Sequence, residues 1–267
     1  KINKNYGIIN SKGVEILNPK KNKQVFTYKK VKGNDYEVVK KKLPMFSKIG
    51  SFNNGYAAAL GYNVETRKKA WGYIDKNLKW VVEPLYADAT DFKDGFGLVY
   101  DKKSEHWYMV DALTLSVKGI GHYNQVSYSN GLICVKDKKK TGTSYYYLNE
   151  EGKKAFYTGD NEIKEYSKAG TFKNGYAVVL TLNGYGMIDV TGTPTLSDHY
   201  RDIRYQDGFY VLTINTFVGI KNHEGEQVLS PDYERVHKVT PTILQVKKGG
   251  QVGYVFSNGV WLWEPRR

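Results

Sequence analysis

One short pattern recurs along the chain: an aromatic residue, two more residues, then Gly. It reads Phe52-Asn53-Asn54-Gly55-Tyr56, Phe92-Lys93-Asp94-Gly95-Phe96, Tyr128-Ser129-Asn130-Gly131-Leu132, Phe172-Lys173-Asn174-Gly175-Tyr176 and Tyr205-Gln206-Asp207-Gly208-Phe209. Each copy runs into an apolar stretch such as Ala177-Val178-Val179-Leu180. Asn-Gly or Asp-Gly ahead of such a stretch is the signature of a tight turn feeding a β-strand. A unit that repeats in this way is stable only when its neighbours bury its apolar face, so the pattern predicts a repeat protein.

A second block interleaves with the first. It reads Trp71-Gly72-Tyr73-Ile74-Asp75, Trp107-Tyr108-Met109-Val110-Asp111, Tyr145-Tyr146-Tyr147-Leu148-Asn149 and Tyr185-Gly186-Met187-Ile188-Asp189, with relatives at Tyr6-Gly7, Val218-Gly219 and Val252-Gly253. The second residue of each copy is an anchor, and the anchors stand at 7, 72, 108, 146, 186, 219 and 253. Asn or Asp follows three residues later in most copies, and Gly six residues later in several, as at Gly152, Gly192 and Gly225. An Asx side chain accepts backbone hydrogen bonds as a turn begins, and glycine enters the left-handed region without steric cost where it closes. Twelve residues after four anchors stand Pro19, Pro84, Pro231 and Pro265, each expected to end a strand because it lacks an amide donor. Tyr86, Tyr200 and Tyr233 stand two positions beyond the place of that proline.

The stretch from Trp71-Gly72-Tyr73-Ile74-Asp75 through Trp80-Val81-Val82-Glu83-Pro84-Leu85-Tyr86 to Phe92-Lys93-Asp94-Gly95-Phe96-Gly97-Leu98-Val99 resembles a full copy of the bacterial WG repeat, also called the KWG repeat. The resemblance extends along the chain, with Tyr-Gly or Val-Gly in place of Trp-Gly and with no glycine at Tyr108 and Tyr146. It implies an all-β, propeller-like repeat architecture in bacterial proteins often attached to the envelope or joined to other modules. It carries no catalytic motif and no cofactor.

The fold expectation is therefore all-β, one WG-repeat domain over residues 1–267, with four short strands per unit. Units of that size form propeller blades, and seven anchors predict about seven of them. An open β-solenoid is the alternative. Residues 20–45 fall in the long first interval and are an insertion or a decayed repeat. An apolar fraction of 40%, with 23 Tyr, 10 Phe and 5 Trp, suits packed strands. No run approaches the ~20 apolar residues of a membrane helix. Residues 1–5 lack the apolar core of a secretion signal, which leaves room for a signal or an upstream domain removed from this sequence.

Charge points to function. The net charge is +13, and the loop between the aromatic-turn strand and the anchor strand is basic in four copies: Arg67, Lys68 and Lys69; Lys102 and Lys103; Lys136 with Lys138, Lys139 and Lys140; Lys247 and Lys248. Equivalent loops of a regular array emerge on one face, where their charges steer an acidic partner. The same lysines could serve only to keep hairpin tips solvated and edges unpaired. Glu150, Glu151, Glu224 and Glu226 stand at the other end of the anchor strand.

Catalytic material is thin. His106, His122, His199, His223 and His237 show no metal-ligand spacing, and a lone cysteine, Cys134 in an apolar run, reads as a buried structural thiol. Close carboxylates such as Asp91 and Asp94 read as turn residues. Tyr145-Tyr146-Tyr147 breaks the usual pattern, because strand alternation sends Tyr146 to the face opposite its neighbours. Together these features predict a non-enzymatic scaffold binding an acidic protein, and the WG-repeat resemblance implies a setting outside the cytoplasm of a bacterium. The alternatives are a propeller for an acidic glycan and a glycosidase-like enzyme. No ordered basic-aromatic motif of an RNA-binding sheet is present.

Overall fold

The computed structural model describes residues 7–9, 12–18, 20–32, 35–43, 45–140 and 142–265, and all its regular structure is antiparallel β. It divides into two compact units, residues 1–123 and 124–267.

The first unit opens with β1 (Ile8–Ile9) and β2 (Glu15–Leu17), a two-stranded pair, followed by a ribbon of β3 (Gln24–Lys32) and β4 (Asp35–Leu43). A four-stranded meander follows: β5 (Phe46–Ile49), β6 (Tyr56–Asn63), β7 (Lys68–Asp75) and β8 (Trp80–Tyr86). A second comprises β9 (Asp88–Ala89), β10 (Phe96–Asp101), β11 (His106–Asp111) and β12 (Val117–Gly121). The second unit begins with a three-stranded sheet, β13 (Gln125–Ser129), β14 (Leu132–Lys139) and β15 (Gly142–Asn149). Three four-stranded meanders complete it. They are β16 (Lys168–Ala169), β17 (Tyr176–Leu180), β18 (Tyr185–Asp189) and β19 (Pro194–Tyr200); β20 (Asp202–Gln206), β21 (Phe209–Ile214), β22 (Phe217–Lys221) and β23 (Gln227–Tyr233); and β24 (Arg235–Thr240), β25 (Ile243–Lys248), β26 (Gln251–Phe256) and β27 (Trp261–Trp263). A four-stranded antiparallel meander is the unit of a propeller blade. Five anchors lie in such sheets, on the third strand, and Tyr146 lies on the third strand of the three-stranded sheet, whereas Gly7 stands beside the two-stranded β1–β2 pair.

The aromatic-turn motif makes the turn the sequence predicts. Asn54-Gly55, Asp94-Gly95, Asn130-Gly131, Asn174-Gly175 and Asp207-Gly208 all have positive φ at both residues, the two-residue turn whose twist matches flanking strands. The Asx position after the anchor is equally regular. The Asp189 carboxylate accepts from the Thr191 and Thr193 amides at 2.9 and 3.0 Å, and the Asn149 amide oxygen from Glu151 and Lys153 at 3.0 and 2.9 Å. Gly192 and Gly225 close their turns at φ +79° and +82°. In the WG-like copy Leu78 occupies the same left-handed position, at φ +63°. Asn10 and Pro19 lie outside the described residues, as does Tyr6.

The anchor glycine has a separate reason. Opposite it the fourth strand bulges: Trp71 pairs with Tyr86 but Tyr73 with Val82, and Val218 pairs with Tyr233 but Ile220 with Leu229. The bulged backbone crosses directly over the glycine. A Cβ on Gly72 would stand 2.8 Å from the Glu83 carbonyl oxygen, and one on Gly219 2.8 Å from that of Leu229. Pro84 and Pro231 sit inside these bulges, so they do not end β8 and β23 as expected. An edge strand can carry proline where its amide would face away from the ladder.

The two anchors without glycine are compensated differently. Opposite Tyr108 the partner is itself a glycine, Gly119, and the bulge shrinks to one extra residue, Trp107 pairing with Gly121. Opposite Tyr146 no fourth strand joins the ladder, and only isolated bridges such as Leu148 with Lys154 follow. The expectation of four strands in every unit fails there. Tyr146 is buried and its hydroxyl lies 3.2 Å from Asp137 Oδ2.

Neighbouring sheets are glued by the recurrent aromatics. Phe92 packs on Tyr73 and Tyr56 of the preceding sheet, with ring centroids 4.5 and 5.6 Å away, and Phe172 on Tyr147 at 5.1 Å. Both phenylalanines are buried. Phe52 is not: it is 37% exposed. The residue after the anchor that would receive it is Ile8, with no ring to cover it.

Candidate functional site

The basic residues singled out by sequence sit at the tips of the hairpins joining second and third strands. The strands run further into these tips than expected. Lys68 and Lys69 belong to β7, paired with Asn63 and Tyr62, so that only Arg67 of that trio lies in the turn, at φ +58°. The Asn63 side-chain oxygen closes that turn, accepting from the Thr66 amide at 2.8 Å and hydroxyl at 3.0 Å. Lys102 and Lys103 do lie in the turn after β10. There the Asp101 carboxylate accepts from the Ser104 hydroxyl at 2.7 Å and the Lys103 amide at 2.8 Å, which holds its pKa below the usual carboxylate value.

In the second unit Lys138 and Lys139 end β14, paired with Thr143 and Gly142, and Lys140 follows in the turn. Lys247 and Lys248 end β25, and Gly249-Gly250 close that hairpin with positive φ at both positions. Between these basic tips, in sequence, lie two others without cations. They present Leu182, 99% exposed, and Phe217, 44% exposed. The basic tips are thus adjacent hairpins in the first unit, while in the second they are the first and last of four. Comparing the equivalent loops in sequence would have found Leu182 and Phe217.

Not all of the charge is available to a partner. Lys139 Nζ pairs with Glu165 at 2.6 Å, which raises the lysine pKa and lowers that of the carboxyl, and Lys247 pairs with Glu234 at 3.4 Å. These pairs are half-exposed and screened by solvent, so they add little to stability. Lys136, Lys139 and Lys248 also stand over the rings of Tyr145, Tyr146 and Tyr233 at 5.8, 5.9 and 5.4 Å. Lys102, Lys103, Lys138 and Lys140 extend into solvent. At the opposite hairpin ends, Glu224 lies 2.7 Å from His223 Nε2, and Glu151 2.8 Å from Lys153.

Beside the last basic tip is an open cavity of about 680 Å³ lined by Phe217, Asp232, Tyr233, Lys248, Gln251 and Glu264. Its size falls within the range of small-molecule sites. Sequence reasoning missed it because Phe217 and Glu264 come from different hairpins.

Two further observations bear on chemistry. His106 Nδ1 and His122 Nε2 lie 3.2 Å apart, a pair that sequence spacing did not reveal, but no group of three His, Cys, Asp or Glu able to hold a metal occurs among the described residues. Cys134 is buried, its thiol donates to the Ala169 carbonyl at 3.6 Å, and burial pushes its pKa up to about 12. A thiol so protonated at neutral pH is no nucleophile.

The meander carrying the bulge over Gly72 continues into the hairpin tipped by Lys102. Residues 71–102 match the family model described as the WG containing repeat. The chain carries a WG repeat. The Trp-Gly pair of that repeat is Trp71-Gly72, and the glycine is the residue over which the β8 backbone crosses. The other four-stranded sheets have the same sequential antiparallel strand order. No curated protein matches the sequence. Among solved structures, Hsv2 of Kluyveromyces lactis is similar at 10% identity and a TM-score of 0.40, over 87% of this chain and 89% of that one. Virginiamycin B lyase of Staphylococcus aureus aligns at 15% identity and a TM-score of 0.35, over 82% and 83% of the two chains. AztD of Citrobacter koseri aligns at 8% identity and a TM-score of 0.39, over 91% and 82%.

Proposed function

We propose that this protein is a non-enzymatic WG-repeat scaffold that binds a protein with an acidic surface, within an envelope or secreted assembly of a bacterium. The observation that carries the reading is the recurrence of exposed lysines at equivalent hairpin tips, Lys102 and Lys103 in one unit and Lys138 and Lys140 in the other. The fold makes little use of these side chains, so a partner is free to use them. No helix among the described residues is long and apolar enough to cross a membrane. The bacterial and envelope setting rests on the resemblance to WG-repeat proteins alone.

Capture from the native source, with the parent chain and the Lys138→Glu, Lys139→Glu, Lys140→Glu variant as paired baits, tests this reading. A specific partner should bind the parent at low salt, fade at moderate salt and be depleted on the variant. Exposed charges interact over ~10 Å at 0.1 M ionic strength and over less as salt rises. Equal capture by both baits would reduce the tip lysines to a solvated rim.

A second reading, a glycan binder, is favoured by the cavity beside Lys248, where Phe217 and Tyr233 supply apolar ring surface; Asp232 and Glu264 outnumber Lys248 there, so the cavity suits a neutral sugar better than an acidic one. Phe217→Ala should abolish glycan binding under that reading and leave capture of a protein partner unchanged.

A further inference from the structure

The β3–β4 ribbon stands outside the repeat. Its strands pair in nine-residue register with each other, and among the described residues no third strand joins either edge. Nine residues at ~3.4 Å each make a ribbon about 30 Å long. An isolated two-stranded ribbon is marginally stable in water and gains from a surface that covers it.

The register sorts the charges. Lys30 is paired with Glu37 and Lys32 with Asp35, so both acidic positions of the ribbon fall in one alternation set, opposite lysine positions and with Lys41 in the same set. The alternate positions of the register hold Lys29, Lys40 and Lys42 with Val25, Val31 and Val38, and no acidic residue. The lysines there are spread: Lys29 is opposite Val38, Lys40 opposite Thr27 and Lys42 opposite Val25. Every side chain described on this face is exposed, Val25 by 56% and Val38 by 58%.

We propose that this face docks on an anionic lipid bilayer, with the lysines at the headgroups and the valines at the headgroup–acyl boundary. Charge complementarity points to an anionic surface, and the interleaved valines choose among anionic surfaces. A soluble polyanion neutralises lysine but leaves exposed valine in water, whereas the boundary of a bilayer takes up both. The cations of residues 20–45 are all lysine, without arginine, which suits a diffuse anionic surface rather than bidentate recognition of single phosphates.

The test is co-sedimentation of the full chain with vesicles of phosphatidylcholine alone or mixed with phosphatidylglycerol. The parent should bind the mixed vesicles at least tenfold more tightly than the neutral ones, and lose most of that binding at 0.5 M salt. Lys29→Glu, Lys40→Glu, Lys42→Glu together should remove the preference, and Val25→Ser with Val38→Ser should weaken binding severalfold. Thermal unfolding of both variants should match the parent. The tip variant at Lys138, Lys139 and Lys140 should bind vesicles as the parent does, which keeps this surface distinct from the proposed protein-binding tips. Absence of binding to mixed vesicles, or equal binding by the ribbon lysine variant, overturns the proposal. So does a valine variant that binds as the parent does, because the face would then recognise charge alone and its occupant would be a soluble polyanion.

Discussion

The Tyr73 hydroxyl donates to the Thr90 carbonyl at 2.9 Å, reaching from the third strand of one sheet to the first segment of the next. It also lies 3.1 Å from the Leu98 carbonyl, and burial raises the phenol pKa, so the donor proton stays in place. One ring therefore closes the apolar contact with Phe92 and satisfies backbone of the neighbouring sheet. The Tyr147 hydroxyl does the same toward the Gly170 carbonyl at 2.6 Å.

Tyr73→Phe should keep the packing and lose the hydrogen bonds. A buried acceptor deprived of its donor costs ~1–3 kcal/mol. Urea unfolding should register that loss for Tyr73→Phe and Tyr147→Phe. Tyr100→Phe, at a half-exposed ring, should stay close to the parent.

Phe92→Ala should cost ~3–5 kcal/mol, because it removes a buried ring from between two sheets. Phe52→Ala should cost ~1 kcal/mol, since its ring is partly in water. Similar midpoints for the two variants in urea would contradict the packing described for Phe92.

Gly72→Ala tests the crossing backbone. The added methyl meets the Glu83 main chain, which cannot swing aside as a side chain can, and overpacking of this kind costs ~1–3 kcal/mol. Gly55→Ala differs in mechanism: nothing lies within 4 Å of its Cβ position, and the penalty of ~1–2 kcal/mol comes from its φ of +87°. Amide exchange should separate them. Gly72→Ala should loosen β8, and Gly55→Ala only the turn.

Acid should find the Asx turns. The Asp189 pKa is lowered chiefly by the Thr191 hydroxyl, and the Asp75 pKa chiefly by the Lys79 amide. A carboxyl depressed on folding adds stability that is complete above its unfolded pKa, ~3.9, and is lost as pH falls through the lower folded value. Stability should therefore decline below about pH 4 through these groups. Asp189→Asn with Asp75→Asn should flatten that decline, while changing stability at pH 7 little, because Asn149 already makes the same amide contacts in its own repeat. Urea midpoints at pH 3, 4 and 7 measure both effects.

The turns and the repeat were legible in sequence because their causes are local. Asn54-Gly55 and Gly192 adopt positive φ for reasons contained in a few residues, and the same residues recur at each turn. The bulge over Gly72 was not legible, although its residues were, because it depends on which strand crosses that glycine. Pro84 carries no signal that distinguishes the end of a strand from a bulge within it.

Sequence by itself determined the all-β repeat, the turn chemistry, the spacing of the anchors and the presence of lysine at four hairpin tips. Only the tertiary structure decided that Phe92 is buried and Phe52 is not, and that Lys139 is paired with Glu165 while its neighbours reach solvent. Backbone conformation follows from neighbours along the chain. Burial, ion pairing and the sign of a surface follow from neighbours across it, and those are set by strand register and by the packing of one sheet on the next.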